Sequence, residues 1–217
     1  MKKLESNMQD QIEHYAENYD QKAEEIGWFG PEVLFGLAYK DLRAGQKVLD
    51  IGIGTGLSAK LFHRAGLKIY GMDISEKMLE AVKSEGITEE LVLHDLTEFP
   101  YPYTDDFFDV VVCAGVFNFF DDLGIIFTEA SRVLQQGGYF AFVVGYRQPD
   151  EDLAVIIGSE HTSSDSTVTM YRHSEEQIRT WLHEAGLKEV RSLEFAVFMD
   201  MEKIHRLPAK AHVVKKV

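Results

Sequence analysis

Three alternating glycines next to an acidic residue are the first pattern in this sequence that could do chemistry. The run at 48–56 reads VLDIGIGTG and places Gly52, Gly54 and Gly56 directly after an apolar segment. Glycines at such positions let the backbone turn sharply and let a ligand approach without interference from Cβ atoms. The pattern predicts a strand, a turn and a helix that cradle a ligand; the alternative is a tight turn that binds nothing.

Asp50 lies two positions before the first of these glycines and determines which ligand charge the turn favours. A carboxylate here repels a pyrophosphate and attracts an ammonium or sulfonium group. Leu57 occupies the position where a dinucleotide-binding motif has its third glycine or alanine. The sequence also contains no Gly-x-x-x-x-Gly-Lys-Ser/Thr motif. A phosphate-rich ligand is therefore disfavoured.

Two further acids follow the next two predicted strands. Asp73 comes 17 residues after Gly56, where a carboxylate can accept hydrogen bonds from both hydroxyls of a ribose. The alternative for Asp73 is an acid that stabilises a helix N-terminus. Asp95, a further 22 residues along, could accept a hydrogen bond from the exocyclic amine of adenine, or could cap a loop. The spacing of the two acids favours a nucleoside site.

The elements that must position these residues alternate between β-rich and helical runs. Strands are predicted at 47–51, 67–72, 91–93, 107–113 and 139–144. Helices are predicted at 57–65, at 77–82 after Ser75 as N-cap, at 121–134 before Gly137 and Gly138, and from Ser174 to Ala185. This order predicts an α/β fold with a doubly wound, mainly parallel sheet, helices on both faces, and ligands at the carboxyl ends of the strands.

Late strands at 187–198 and 210–216 are predicted to form an antiparallel edge pair, which completes a Rossmann-like sheet of seven strands. The polar segment 147–167 predicts a long connecting loop. Residues 1–40 are predicted to form a helical lid, and residues 41–217 a single domain.

Together, the glycine loop and the acids resemble the class I S-adenosylmethionine-dependent methyltransferases of the small-molecule type. The segments at 107–113, 132–138 (RVLQQGG) and 171–176 (YRHSEE) extend the similarity to most of the chain. The resemblance implies S-adenosylmethionine as the cofactor, with the glycines under its methionine part, Asp73 on its ribose, and other residues on its adenine or near its sulfonium. The residues implied at the cofactor are Tyr15, Tyr19, Asp50, Gly52, Gly54, Gly56, Asp73, Ile74, Met78, Asp95 and Leu96.

Tyr15 and Tyr19 lie in a segment that is also similar to the lid of such enzymes. As aromatic residues four positions apart, they either stack near the sulfonium or pin a helix to the core.

Methyl transfer needs mainly the in-line positioning of a nucleophile and the exclusion of water, so the lack of a catalytic triad is no objection. His161, Tyr171 and His173 are the candidates for a general base or an acceptor-orienting group, although most histidines are structural or lie on the surface. Asn118 begins the sequence NFFD, which lacks the two prolines of the motif used by nucleic-acid amino-methyltransferases. This departure argues against methylation of bases.

Composition limits which classes of partner and which cellular location are expected for this protein. The chain has 36 acidic and 22 basic residues and a formal charge of -14, which disfavours a nucleic-acid partner. The single cysteine, Cys113, excludes an internal disulfide and a zinc site built from several thiolates. We find neither a signal peptide nor a long apolar run, and therefore expect a cytoplasmic protein without membrane contact or bound metal.

These observations predict an enzyme that transfers a methyl group from S-adenosylmethionine to a small-molecule acceptor. Three alternatives use the same fold: a non-catalytic regulatory protein that binds the cofactor or S-adenosylhomocysteine, an aminopropyltransferase, and an NAD-dependent oxidoreductase. No pattern in the sequence indicates the acceptor or the oligomeric state.

Overall fold

A computed structural model describes residues 19–157, 168–198 and 206–217. The helices in this part of the chain are α1 (Tyr19–Ile26), α2 (Gly30–Ala38), α3 (Leu57–Arg64), α4 (Glu76–Ser84), α5 (Gly124–Val133) and α6 (Glu175–Glu184). The strands are β1 (Lys47–Ile51), β2 (Lys68–Asp73), β3 (Thr88–Leu93), β4 (Phe108–Cys113), β5 (Leu134–Tyr146), β6 (Ala154–Ile157), β7 (Val168–His173), β8 (Leu187–Phe198) and β9 (Arg206–Lys216). Short 3-10 helices lie at Tyr39–Asp41 and Phe117–Phe119. None of the described helices is long and apolar enough to cross a membrane.

The described strands form one sheet of nine, and seven of them have the order β3-β2-β1-β4-β5-β9-β8. Strands β1 to β5 are parallel, whereas β9 runs antiparallel to both β5 and β8. The predicted fold class, a Rossmann-like α/β sheet of seven strands, is therefore confirmed. The predicted late pair is also present, with β8 at the edge and β9 inside the sheet. Because β1, β2 and β4 are neighbours, their carboxyl ends, and the loops that follow them, meet at one edge.

Strand β5 shows why helices cover both faces of the sheet. Phe140 and Phe142 belong to one buried cluster, which includes apolar residues of α5 and α6. The alternate residues Ala141 and Val143 belong to a second cluster, which includes residues of α2 and α3. All four side chains are buried. A strand buried on both faces is continuously apolar, as the run YFAFVV at 139–144 is.

Helix α2 belongs to the second of these layers. Its Leu34 and Ala38 are buried, and the helix packs against α3, β5, β8 and β9. Arg191 of β8 donates to the carbonyl oxygen of Leu37 at 2.8 Å and pairs with Asp41. These contacts fix the C-terminal end of α2 and leave its N-terminal end at the carboxyl edge of the sheet.

Two predictions about the middle of the chain were wrong. The helix predicted at 121–134 begins at Gly124, and the two glycines predicted to end it lie within β5. Gly138 allows β4 to approach closely, since a Cβ atom there would lie 2.8 Å from the carbonyl oxygen of Asp109. Gly137 has a φ of 78° at an irregularity in the β4–β5 ladder. The glycines therefore permit a bulge in a strand.

The segment 147–167 is not a loop throughout. It contains β6, which pairs antiparallel with β7, and β7 in turn joins β5 through Arg172 and His173. The polar residues around the strand concealed it, because its own sequence, AVII, is a run of only four apolar residues.

Candidate active site

The glycine loop after β1 has one packed side and one open side. The amide groups of Gly52 and Ile53 both donate to the carbonyl oxygen of Met72, at 2.8 and 3.1 Å. Gly52 has a φ of 68°, and a Cβ atom there would lie 2.4 Å from the Cγ2 atom of Val116. Gly54 has a φ of 53°, and a Cβ atom there would meet no described atom within 4 Å. The loop therefore lies against the segment after β4 and exposes its backbone at Gly54.

Asp73 joins the glycine loop to the start of α4. One carboxylate oxygen accepts a hydrogen bond from the amide of Gly54 at 2.9 Å, and the other accepts one from the amide of Ser75 at 2.9 Å. Ser75 is the predicted N-cap, and its hydroxyl oxygen accepts a hydrogen bond from the amide of Met78. Because an ionised carboxylate offers about four acceptor sites, Asp73 can accept further hydrogen bonds from a ligand.

Asp50, at the end of β1, is a buried acidic residue at this edge of the sheet. It is 2% exposed, and its Oδ2 atom has no hydrogen-bond partner among the described residues. Burial and the negative charge of Asp73 raise the pKa of Asp50 well above its usual value. Burial, Asp50 and Asp73 likewise raise the pKa of the Cys113 thiol. A buried carboxyl group without a partner is destabilising, and a cationic ligand would supply the missing partner.

Helix α1 is attached to the glycine loop. The hydroxyl of Thr55 donates to Asp20, and the ammonium group of Lys60 lies 3.4 Å from the same carboxylate. Tyr19 lies next to these groups, and burial, Asp20 and Asp73 raise its pKa to about 12. The predicted site residue Tyr19 therefore lies close to Asp73.

The residues predicted around adenine lie after β2 and β3. Asp95 caps its own loop, because one carboxylate oxygen accepts hydrogen bonds from both the amide and the hydroxyl of Thr97, each at 2.8 Å. The side chains of Met78 and Leu96 are buried, and that of Ile74 is half-buried. Leu96 belongs to the main core cluster. Loop capping, the alternative considered for Asp95, is thus present in the structure.

The described candidates for acid–base chemistry, Tyr171 and His173, are half-buried and buried. His173 ends β7 and is fully buried, and its ring centroid lies 5.2 Å from that of Trp181. Burial lowers the pKa of His173 to about 4, so the imidazole is neutral near pH 7. Tyr171 is half-buried in the same strand. Tyr15 and His161 lie outside the described residues. The described residues contain no cluster of His, Cys, Asp or Glu that could hold a metal ion.

Trp28 is a residue at this edge that the sequence analysis did not identify. Its indole lies against Gly115, the second residue after β4. The only local signal is its position between Gly27 and Gly30, just before Pro31. That pattern indicates a turn before a helix but does not indicate where the ring packs.

The fold is similar to that of solved S-adenosylmethionine-dependent methyltransferases. Residues 49–142 match the family model described as "Methyltransferase domain". This match confirms the predicted resemblance over that segment.

The relatives and solved structures that resemble this chain align with it over different shares of its length. The chain is 33% identical over 113 residues to an uncharacterised methyltransferase, YcgJ, of Bacillus subtilis, an alignment of 51% of this chain but only 45% of that protein. It is 25% identical to a ubiquinone biosynthesis O-methyltransferase of Thiobacillus denitrificans, over 78% of this chain and 76% of that protein. A solved SAM-dependent methyltransferase of Methanosarcina mazei shares the fold, with a TM-score of 0.70, 15% identity, and coverage of 83% of this chain and 97% of the other.

Proposed function

We propose that this protein transfers a methyl group from S-adenosylmethionine to a small-molecule acceptor. The observation that carries the proposal is the buried Oδ2 atom of Asp50, which has no hydrogen-bond partner among the described residues and lies beside the glycine loop. S-Adenosylmethionine carries positive charges on its ammonium and sulfonium groups, and it therefore fits a site lined by acidic side chains. The pyrophosphate of a dinucleotide is negatively charged and does not fit such a site. The relative from Thiobacillus is named as an O-methyltransferase of ubiquinone biosynthesis, which supports a small-molecule acceptor.

The roles that we propose follow the positions of the side chains. Asp73 accepts hydrogen bonds from the ribose, since the amides of Gly54 and Ser75 already orient its two oxygens. The open backbone at Gly54, with its neighbouring glycines, receives the methionine part. Asp95 and the backbone at Leu96 meet the adenine amine, and Ile74 and Met78 pack on its ring. Tyr19, with Tyr15, closes the site as part of the lid.

The bound cofactor supplies a methyl group on a sulfonium, which has a neutral leaving group. The protein therefore has to hold the acceptor in line and exclude water, and it needs a strong base only where the acceptor must lose a proton. Helix α1 and the segment after β4 provide the enclosing walls. His161, Tyr171 and His173 stay the candidate bases. We also propose a cytoplasmic location, and the charge of -14 supports a partner other than nucleic acid.

Calorimetric titration with S-adenosylmethionine, S-adenosylhomocysteine and NADH tests the proposed function. We expect the two sulfur ligands to bind with micromolar affinity and NADH not to bind. Binding of NADH alone would support an oxidoreductase. If neither S-adenosylmethionine nor S-adenosylhomocysteine bound, the proposal would be refuted. A panel of acceptors then separates an enzyme from a regulatory protein, because only an enzyme converts S-adenosylmethionine to S-adenosylhomocysteine.

Cofactor binding is expected to depend on pH through Asp50. Burial raises the pKa of its carboxyl group, and a cation bound beside it would lower that pKa again. Binding should therefore release a proton, and the affinity should fall as the pH decreases through the pKa of Asp50 in the free protein.

Calorimetry in two buffers of different ionisation enthalpy, at one pH, measures the released proton. Asp50→Asn is the control, since it removes the titrating group and should abolish the difference between buffers. Equal binding enthalpies for the wild-type protein in both buffers would contradict the prediction.

A further inference from the structure

Trp28 is held at the carboxyl edge by the turn between α1 and α2. Gly27 has a φ of 70°, and the amide of Trp28 donates to the carbonyl oxygen of Ala23 at 2.8 Å. Two glycines make room for the indole. A Cβ atom at Gly30 would lie 2.3 Å from the ring, and one at Gly115 would lie 3.4 Å from it. The position of the ring is therefore fixed by backbone on two sides.

The indole is continuous with the glycine loop. Gly115 is followed by Val116, whose side chain covers Gly52. The ring, the segment after β4 and the loop after β1 thus form one contiguous surface, in which the indole is half-buried. The indole therefore lies beside the segment that covers the glycine loop.

The charges near this surface discriminate against anions. Three carboxyl groups lie beside the glycine loop, on Asp20, Asp50 and Asp73. Four basic side chains in this part of the structure already have partners, although the Nε atoms of Arg147 and Arg172 have none among the described residues. Their partners are Asp20 and Glu85 for Lys60, loop carbonyls and Gln177 for Arg147, the carbonyl of Asp152 for Arg172, and Glu175 for Lys210.

We propose that Trp28 forms a wall of the acceptor site and that the acceptor is a planar, aromatic molecule without negative charge. The inference rests on the proposed function and specifies its acceptor. An indole face binds rings by stacking and cations by cation–π attraction. The nearby carboxylates of Asp20 and Asp73 repel a negatively charged acceptor.

Three probes that share a 4-hydroxyphenyl ring test the proposal: tyramine is cationic, p-cresol is neutral and 4-hydroxyphenylacetate is anionic. The chain has two tryptophans, so the Trp181→Phe variant leaves Trp28 as the only indole. Its fluorescence is followed during titration of the protein saturated with S-adenosylhomocysteine. We expect tyramine and p-cresol to quench Trp28, and 4-hydroxyphenylacetate to bind about tenfold or more weakly, a factor that corresponds to about 1.4 kcal/mol.

The Trp28→Ala variant, compared with wild type by calorimetry, tests whether Trp28 contacts the acceptor. It should lose tyramine and p-cresol binding by about tenfold or more and keep its affinity for S-adenosylhomocysteine within about threefold. Equal binding of the anionic probe, unchanged tyramine binding in Trp28→Ala, or no binding of any probe would overturn the inference and leave the proposed function standing. Failure of wild type to bind S-adenosylhomocysteine would overturn both.

Discussion

The Asp73→Ala variant is expected to bind S-adenosylhomocysteine about 10- to 100-fold more weakly than the wild-type protein, a loss of about 1–3 kcal/mol. The carboxylate has two roles that the substitution removes together. It would accept hydrogen bonds from the ribose, and it holds the amides of Gly54 and Ser75 in place. Loss of the acceptor therefore removes a ligand contact and releases the loop that forms the cradle. Calorimetric titration of the folded variant measures the change.

Asp109→Ala is the matched control for this experiment. Asp109 is also a carboxylate that accepts a hydrogen bond from a backbone amide, that of Lys47 at 2.8 Å, but it lies at the opposite edge of the sheet. This variant should lose some stability and keep its affinity for S-adenosylhomocysteine. Unchanged affinity in Asp73→Ala, with circular dichroism showing an intact fold, would remove Asp73 from the site.

Substitution of Arg132 by methionine is expected to lower the free energy of unfolding by about 3 kcal/mol. The guanidinium group donates to both carboxylate oxygens of Glu129 and to Asp105. It also donates to the carbonyl oxygens of Tyr101 and Tyr103, at 3.1 and 2.9 Å. Burial raises the pKa of Glu129, but the hydrogen bonds from Arg132 and from the amide of Tyr101 outweigh it and hold the pKa below its usual range. The variant leaves a mostly buried carboxylate without its cation, which is strongly destabilising.

Denaturation in urea, followed by circular dichroism, measures this loss. Arg179→Met is the control, because Arg179 also pairs with a glutamate on its own helix but is 77% exposed, and exposed pairs contribute less than about 1 kcal/mol. The double variant Arg132→Met, Glu129→Met should recover part of the stability, since it removes the stranded charge as well. Equal losses in Arg132→Met and Arg179→Met would show that the network is not stabilising.

The hydrogen bonds of Arg132 also stabilise a loop next to the proposed cofactor site. It ties the loop after β3, which begins near Asp95, to helix α5. No local pattern connects Arg132 with a loop about 30 residues earlier, because only folding brings the two together. A destabilised Arg132 variant should therefore also show increased exchange of the amides around Asp95.

Local signals in the sequence were sufficient for much of the fold. Strand β1 and the glycine turn were predicted because five apolar-rich residues followed by alternating glycines leave few other conformations. Ser75 and Ser174 were predicted as N-caps, and each hydroxyl accepts the expected backbone hydrogen bond. The mainly parallel sheet with helices on both faces was predicted from the alternation of strands and helices, since connections between parallel strands are restricted in hand.

Only the tertiary structure decided features that depend on contacts between distant segments. It showed that Gly137 and Gly138 lie in a bulged strand, because the neighbouring β4, and not the local sequence, requires them. It also showed that the buried Oδ2 atom of Asp50 has no hydrogen-bond partner among the described residues, and it placed the Trp28 ring against Gly115. The sequence by itself determined the periodicity, the caps and the acids after each strand, because these act within a few residues. Burial, charge partners and the walls of the site depend on the assembled sheet, because they arise only when residues far apart in the chain are brought together.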